Sequence, residues 1–514
     1  MFPWRLSDEI AAGSVVDLSS LNGGPLGPSD AVRLTADRQH LQTADGRPVR
    51  LFGVSTSDSA NFPSAAEAAA TAARLARLGF NCVRLCHMDT RIGSESLLDA
   101  HAGDHRHINA SHLDALDRFV FELSRRGIYV DLNLHVVRQL DERDGVPGGD
   151  QGPPFNKGVD IFDPRMIDLQ REYARQLLGH VNRHTGRRFA DDPALALVEI
   201  TNEDGLLVRW GSGDIDRSPE SLRAPLRDQW NAWLRARYHS EASLRDAWNA
   251  ESHPPGPELV LNGDFAEGLP PWALRRTGQA VATASWLPEA PPATPTGSGA
   301  VCIRITRPGT QRWHVDLNSG PVPVRRGEIY ELRAAVRSPG SRSMRVVVMN
   351  SGSPWANLGL NAIVNLGASP EWRNLSWRFR ASGSDPLGRI SFIGLGPETG
   401  EICIARVSLR AVGAEPLSVW QTLAQGNVDV LSVRSAGECS ETCLRDWLEF
   451  LWDTEEAYGR SMVRHLHDDL GVKCPVTVTQ VNSSPPMLQA AVSDLVANNV
   501  YWDHPVFTGI PSAV

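Results

Sequence analysis

Residues Ala194 to Asp204 read ALALVEITNED. From Ala194 to Ile200 every residue except Glu199 is apolar. A continuous apolar run rich in Val, Ile and Leu suits a parallel strand buried on both faces. The run stops on Thr201, Asn202, Glu203 and Asp204, with Gly205 next. A buried strand that ends in an amide and carboxylates puts polar groups where α/β barrels build active sites. Taken alone, Asn202–Gly205 reads equally well as a simple turn. The surrounding chain separates the two readings.

Upstream, strand and helix signals alternate. Val32–Phe52 reads as a hairpin around Asp45-Gly46, with Val49–Val54 as a first barrel strand. Ser64–Leu78 is a helix, opened by the capping box Ser64/Glu67 and stopped by Gly79. Phe80–Cys86 is a second strand and carries Arg84. Ser111–Arg126 is a second helix with Leu113, Leu116, Val120 and Leu123 on one stripe. Ile128–Leu134 is a third strand ending at His135, and Asp163-Pro164 opens a third helix. Ala194–Ile200 is then the fourth strand. Such alternation predicts a parallel sheet with helical crossovers. Arg84, His87, His135, Asn202 and Glu203 fall at or near strand ends. No Gly-rich phosphate loop follows any strand, which lowers the dinucleotide and P-loop readings.

Downstream, Leu222–Trp248 is helical and HPPGPE is a linker. Leu259–Val412 then carries short alternating runs such as VCIRIT, MRVVVM and CIARVSL between Gly, Pro and Ser, the texture of an antiparallel β-sandwich. Helix returns at Cys443–Leu470. Pro475–Val481 reads as a fifth strand, Pro485–Val492 as a short helix and Leu495–Tyr501 as a sixth strand. The sandwich, 259–412, is thus inserted between barrel segments 1–252 and 417–514.

Composition narrows the function. The chain has 514 residues and a net charge of −9, which argues against general affinity for nucleic acid phosphates. No run of about 18 apolar residues predicts a membrane span. The start, MFPWRLSDEI, shows no signal peptide pattern. Fifteen Trp against six Tyr offer many flat surfaces for stacking. The seven Cys do not settle the redox compartment; Cys82 and Cys86 read as buried thiols.

With these pieces in order, LFGVS, GFNCVRLCHMD, GIYVDLNLH, ITNE and NNVYWDHP, the chain resembles clan A glycoside hydrolases, closest to family 5, the cellulase-like (β/α)8 barrels. The segment from LVLNGDFAEGLPPW to ICIARVSL resembles carbohydrate-binding modules of the family 4 and 9 type, which are jelly rolls. The resemblance implies an α/β TIM-type barrel with an inserted sandwich, retaining hydrolysis of a β-linked glycan without cofactor or metal, and a secreted or periplasmic setting. It makes Glu203 the acid/base, Asn202 the partner of the sugar 2-hydroxyl, and Arg84 the group that holds the nucleophile. His135 carries over, and Tyr501 does, with Asn499 standing where the pattern has His. His87, Trp210 and Trp502 are further expected sugar contacts.

One departure matters. The resemblance places the nucleophile on a Glu ending strand seven, and no Glu follows Glu456. The expectation is a barrel cut after strand six, without turnover on its own. A non-catalytic carbohydrate-binding protein, or a β-galactosidase or β-mannanase of the same clan, are the alternatives. The carboxyl of Glu203 is expected to be raised toward neutral pH by desolvation and a second carboxylate. Glu199 reads as a polar strand position. His101, His105, His107 and His112 have spacing too irregular for a metal site. Of Trp272, Trp313, Trp355, Trp372 and Trp377, one or two would form a sugar platform and the rest core.

Overall fold

The computed structural model describes residues 17–90, 96–288, 291 and 298–501. The chain divides into two compact units. One comprises Met1–Arg237, Leu423–Val433 and Asp446–Val514, the other Tyr238–Thr422 and Arg434–Arg445.

The first unit is organised on a five-stranded parallel sheet. Its strands are β1 (Gly53–Ser57), β2 (Cys82–Cys86), β3 (Tyr129–His135), β4 (Leu195–Thr201) and β5 (Val476–Thr477), lying side by side in sequence order. Every pairing is parallel. Helices connect the strands as the capping signals predict. Ala65–Arg77 is capped by Ser64 and Glu67 acting reciprocally, and Pro164–Leu178 by the Asp163 carboxylate. Gly127 follows the helix Ala110–Ser124 at φ 68°, and a Cβ there would meet the Asn22 carbonyl at 2.1 Å. Only glycine fits.

The two faces of this sheet differ in kind. Leu132, Val198 and Val476 are in register on one face. On the other, Arg84 is in register with Asp131, and Glu199 with Asn133 and Thr477. Asp131, Asn133, Glu199 and Thr477 are all buried, so this face is a charged layer inside the unit. The N-terminal segment covers the starts of the strands. Val32, Leu41, Val49 and Leu51 pack on Cys82, Tyr129 and Ala196.

Three expectations are corrected. The first parallel strand is Gly53–Ser57, because Pro48–Val49 instead pairs antiparallel with Leu41–Thr43. The helix Leu222–Trp248 is two helices, Glu220–Tyr238 and Glu241–Trp248, broken at His239, where φ is 59°. Leu495–Tyr501 is not a strand; it makes one parallel bridge, Gln480 to Ala497. Its consecutive residues Asn498 and Asn499 are poor strand formers.

The second unit is a β-sandwich with every pairing antiparallel. One sheet orders Ala273–Arg276, Val315–Asn318, Asp385–Ile393, Arg342–Met349 and Asn357–Leu366, with Val322–Val324 added on Asp385–Ile393. The other orders Val281–Leu287, Ala300–Arg307, Gly400–Ala411, Ile329–Ser338 and Ser369–Arg380. Between them Phe265, Trp272, Ile303, Leu332, Val346, Ile390, Phe392 and Ile404 form a continuous apolar core. A disulfide joins Cys302 to Cys403, cross-strand partners in the second sheet. The linkers into and out of the sandwich are tied together: Gly413 N–H donates to the His253 carbonyl, and Ala414 N–H to that of Glu251. This pairing extends the unit beyond the expected 259–412.

Candidate functional site

The C-terminal ends of β2 to β5 bring most of the expected residues together. Arg84 forks onto Glu199, with Nε to Oε1 at 2.9 Å and Nη2 to Oε2 at 2.5 Å. The same Nη2 donates to Asn202 Oδ1 at 2.9 Å. Glu199 Oε2 also accepts from Asn133 Nδ2 at 2.5 Å and Gln480 Nε2 at 3.0 Å. A buried carboxylate is tolerated only when paired and saturated, and Glu199 is both. Burial works against the Arg84 charge, but the bonds and charge of Glu199 raise its pKa above the ordinary value. Asp131 shares the space, 4.0 Å from Arg84 Nε. Burial, and then the charge of Glu199, push its carboxyl well up.

Glu203 sits differently. Its backbone is left-handed, φ 51°, and its N–H donates to Gln480 Oε1 at 2.6 Å. Gln480 therefore bridges the two glutamates. Lys157 Nζ donates to the Asn202 carbonyl at 2.7 Å, and Arg209 Nη2 to the Glu203 carbonyl at 3.1 Å. The side chain accepts on Oε1 alone, from Asn499 Nδ2 at 2.7 Å, Asn482 Nδ2 at 3.2 Å and the Tyr501 hydroxyl. Oε2 has no partner among the described residues. A left-handed backbone at a non-glycine residue costs about 1–3 kcal/mol and clusters at functional sites.

The expected rise in the Glu203 pKa is corrected. Burial does raise it, but Tyr501, Asn499 and Asn482 bonded to the charged form, with the charge of Lys157, hold it below the ordinary value. Among the described residues, no second carboxylate appears with those that meet it.

The remaining expected residues divide. His135 is buried between two carboxylates, with Nδ1 3.0 Å from Asp89 and Nε2 3.1 Å from Asp160. Burial opposes its charge, but Asp160 and Asp89 raise its pKa to about 9. Burial is likewise outweighed at Asp89, whose bonds to His135 lower it to about 2. Asp204, also buried, has its carboxyl pushed up by burial and by Asp160. His87 follows β2 at φ 54°, and its buried Nδ1 has no partner among the described residues. Trp210 is half-buried, with Nε1 donating to the Leu431 carbonyl at 2.6 Å and its ring edge-on to Trp447. Trp502 lies outside the described residues. Of the histidines considered for metal, His105 meets Asp141 and Asp144, but Arg143 bonds to both Asp141 and His105 Nε2 and supplies the positive charge itself.

Lys157, Gln480 and Asn482 were missed. The last two follow the fifth strand, so the rule that strand ends carry the site would have found them.

The sandwich has a second polar surface. On the outward side of its first sheet, Ser391 Oγ donates to Asn318 Oδ1 at 2.6 Å, and Asn318 Nδ2 to Asp316 Oδ2 at 3.3 Å. All three are buried, and Asp316 Oδ1 has no partner among the described residues. Arg389 stacks its guanidinium 4.9 Å from the ring of Trp355, which is 46% exposed. Trp313 is also exposed, whereas Trp272 is core and Trp377 packs against it.

No protein-family model and no curated protein sequence matches the chain. Solved structures similar to parts of it include carbohydrate-binding modules, a bacteriophage tailspike domain and a glycoside hydrolase. A family 4 carbohydrate-binding module is 21% identical over 30% of this chain and 99% of its own, with a TM-score of 0.25. The second N-terminal cellulose-binding domain of Cellulomonas fimi β-1,4-glucanase C is 26% identical over 31% of this chain and 95% of its own, TM-score 0.24. An endo-1,4-β-mannanase from Rhizomucor miehei is 16% identical over 38% of this chain, TM-score 0.29, and the chain spans 57% of its length. Each TM-score lies below 0.5, and the fold is read from the strand pairing above.

Proposed function

We propose that the first unit is part of a (β/α)8 glycoside hydrolase barrel acting by retention on a β-linked glycan, with Glu203 as its acid/base. The observation that carries this reading is the convergence of Arg84, Asn202, Glu203 and Tyr501 at the C-terminal ends of one parallel sheet. Among the described residues one carboxylate oxygen of Glu203 has no partner, which leaves it free to meet a glycosidic oxygen. Retention needs a partner carboxylate about 5–5.5 Å away. Among the described residues no carboxylate is bonded to Glu203, so the nucleophile is an added reagent in the test.

The protein is mixed with aryl β-glycosides of poor leaving ability and azide. Azide would attack the anomeric carbon from the α face, and the aryl alcohol would leave with a proton from Glu203. The expected product is an α-glycosyl azide, and Glu203→Gln lowers its rate of formation about a hundredfold or more. Equal rates in both proteins would remove Glu203 from the acid role.

A second reading is favoured by one observation: the donors around Glu203 hold it ionised, as a binding group is held. On that reading the chain binds oligosaccharides without turnover, and azide changes nothing. The disulfide between Cys302 and Cys403 supports export to an oxidising compartment under both readings.

A further inference from the structure

We propose that the outward face of the first sandwich sheet recognises carboxylate groups, so that the glycan it holds is a β-linked one built of hexuronate residues. The inference rests on the reading of the chain as one that meets β-linked glycans, and it names the chemistry of the glycan.

Register sets the residues of this face in rows. Arg275 is in register with Asp316, and Arg345 with both Ile393 and Ile363. In the next row Asn318 and Val347 are both in register with Ser391. Beyond it, Arg389 is in register with Met349. Side chains two apart on a strand share a face. Arg275, Arg345 and Arg389 therefore stand on one side of the sheet, around Asp316, Asn318 and Ser391. Those last three are buried although they point away from the apolar core, so the face is recessed there.

The positive charge of this face is unmatched. Among the described residues none of the three arginines makes an ion pair. Arg345 Nη1 donates to Asn361 Oδ1 at 3.3 Å and Arg389 Nη2 to Met349 Sδ at 3.9 Å, and the buried Arg389 Nε has no partner. Asp316 is the one carboxylate in these rows. Burial pushes its carboxyl up, against Asn318, Arg275 and Arg389, which weakens it as a counter-charge. The outward face of the second sheet is the internal contrast. There Arg304, Arg333, Arg378 and Arg410 pair with Glu401, Glu331, Glu415 and Glu258 respectively. The imbalance is also visible in the sequence: residues 259–412 hold seventeen Arg and no Lys against ten Asp and Glu, a net +7 within a chain of −9.

The groups suit an acidic sugar. A guanidinium fork matches a carboxylate with two parallel hydrogen bonds. Asp316 Oδ1, which has no partner among the described residues, is placed to accept from a sugar hydroxyl. Trp355, backed by the Arg389 guanidinium at 4.9 Å, offers a ring face to a pyranose. A neutral sugar would use the hydroxyl and ring contacts but leave the arginines partly desolvated without a counter-charge.

The test titrates the full chain by calorimetry with two matched pairs of β-1,4-linked hexasaccharides, glucose with glucuronate and mannose with mannuronate. Within at least one pair the uronate should bind about tenfold or more tightly at low salt, and the preference should shrink as salt rises. Arg345→Gln should lower uronate affinity about threefold or more and leave the neutral partner unchanged, whereas Arg304→Gln on the other face should alter neither. Neutral sugars that bind as tightly as their uronates would overturn the proposal and leave the glycan reading standing. Binding of none of the four would remove both. A preference lost in Arg304→Gln but kept in Arg345→Gln would overturn the placement. A hexaglutamate peptide that binds as tightly as the uronate would overturn the sugar ligand in favour of an acidic peptide.

Discussion

The parallel sheet and the sandwich handle polarity in opposite ways. The sandwich packs a continuous apolar cluster between its sheets, and its buried Arg342 lies on that side only at the end of its strand, in register with Leu366. The parallel sheet buries Asp131, Asn133 and Glu199 on one face beside the half-buried Arg84, and satisfies Glu199 on both oxygens. A core built for stability alone needs none of this, since buried ion pairs seldom add net stability. The charged layer is therefore better understood as support for the groups at the strand ends. Gln480 makes the connection explicit, holding the Glu199 carboxylate with one end and the Glu203 backbone with the other.

The contrast can be broken first at Arg84. Arg84→Met removes the only cation bonded to Glu199 among the described residues and should cost about 3–5 kcal/mol, because the buried charge is left uncompensated. Urea unfolding followed by tryptophan fluorescence would measure it. A loss below 1 kcal/mol would mean that the layer is wet and the contrast false. In the sandwich, replacing both Cys302 and Cys403 by Ser should cost roughly 2–4 kcal/mol, with the loss confined to the transition of that unit.

The third prediction separates the units by pH. The His135 pKa is raised from 6.5 to about 9 in the folded state. Its contribution is complete below the unfolded value and lost as pH rises through the folded one. The first unit should lose of order 2–3 kcal/mol between about pH 6.5 and 9, and His135→Gln should flatten that limb. The second unit holds Cys439, whose thiol lies below its ordinary value, so any response there over this range should run the other way, stability rising with pH; a second unit that loses stability with the same slope would exclude His135 as the cause. The smallest effect is expected on the sandwich surface. Trp355→Ala should weaken binding of β-linked oligosaccharides roughly two- to tenfold by calorimetry, the worth of one ring stack. Unchanged affinity would move the binding surface elsewhere.

Much of this was written in the chain. The apolar run Ala194–Ile200, the capping box at Ser64 and the Asp163-Pro164 signal located their elements to within a residue or two, because each rests on local backbone chemistry. Arg84, Asn202 and Glu203 were legible on or at the ends of strands, whereas Tyr501 reaches the site from a segment that forms no strand. What was hidden depends on contacts distant in sequence. The direction of the Glu203 shift is set by Asn482, Asn499 and Tyr501, nearly 300 residues away. His135 reads as a substrate contact until Asp89 and Asp160 are seen on either side of it. The disulfide needed the register of two strands about 100 residues apart.

The most direct test compares two substitutions four residues apart. Glu199→Gln and Glu203→Gln are each assayed, per mole of folded protein, for α-glycosyl azide formation and for unfolding midpoint. The account predicts that Glu203→Gln loses about a hundredfold or more in rate with its midpoint unchanged, as befits a carboxylate with one open oxygen. Glu199→Gln should instead lower the midpoint of the first unit, since the half-buried Arg84 is left against a neutral amide. A Glu203→Gln protein that keeps its rate, or a Glu199→Gln protein that loses its rate at full stability, would contradict the assignment of Glu203 as the working carboxylate.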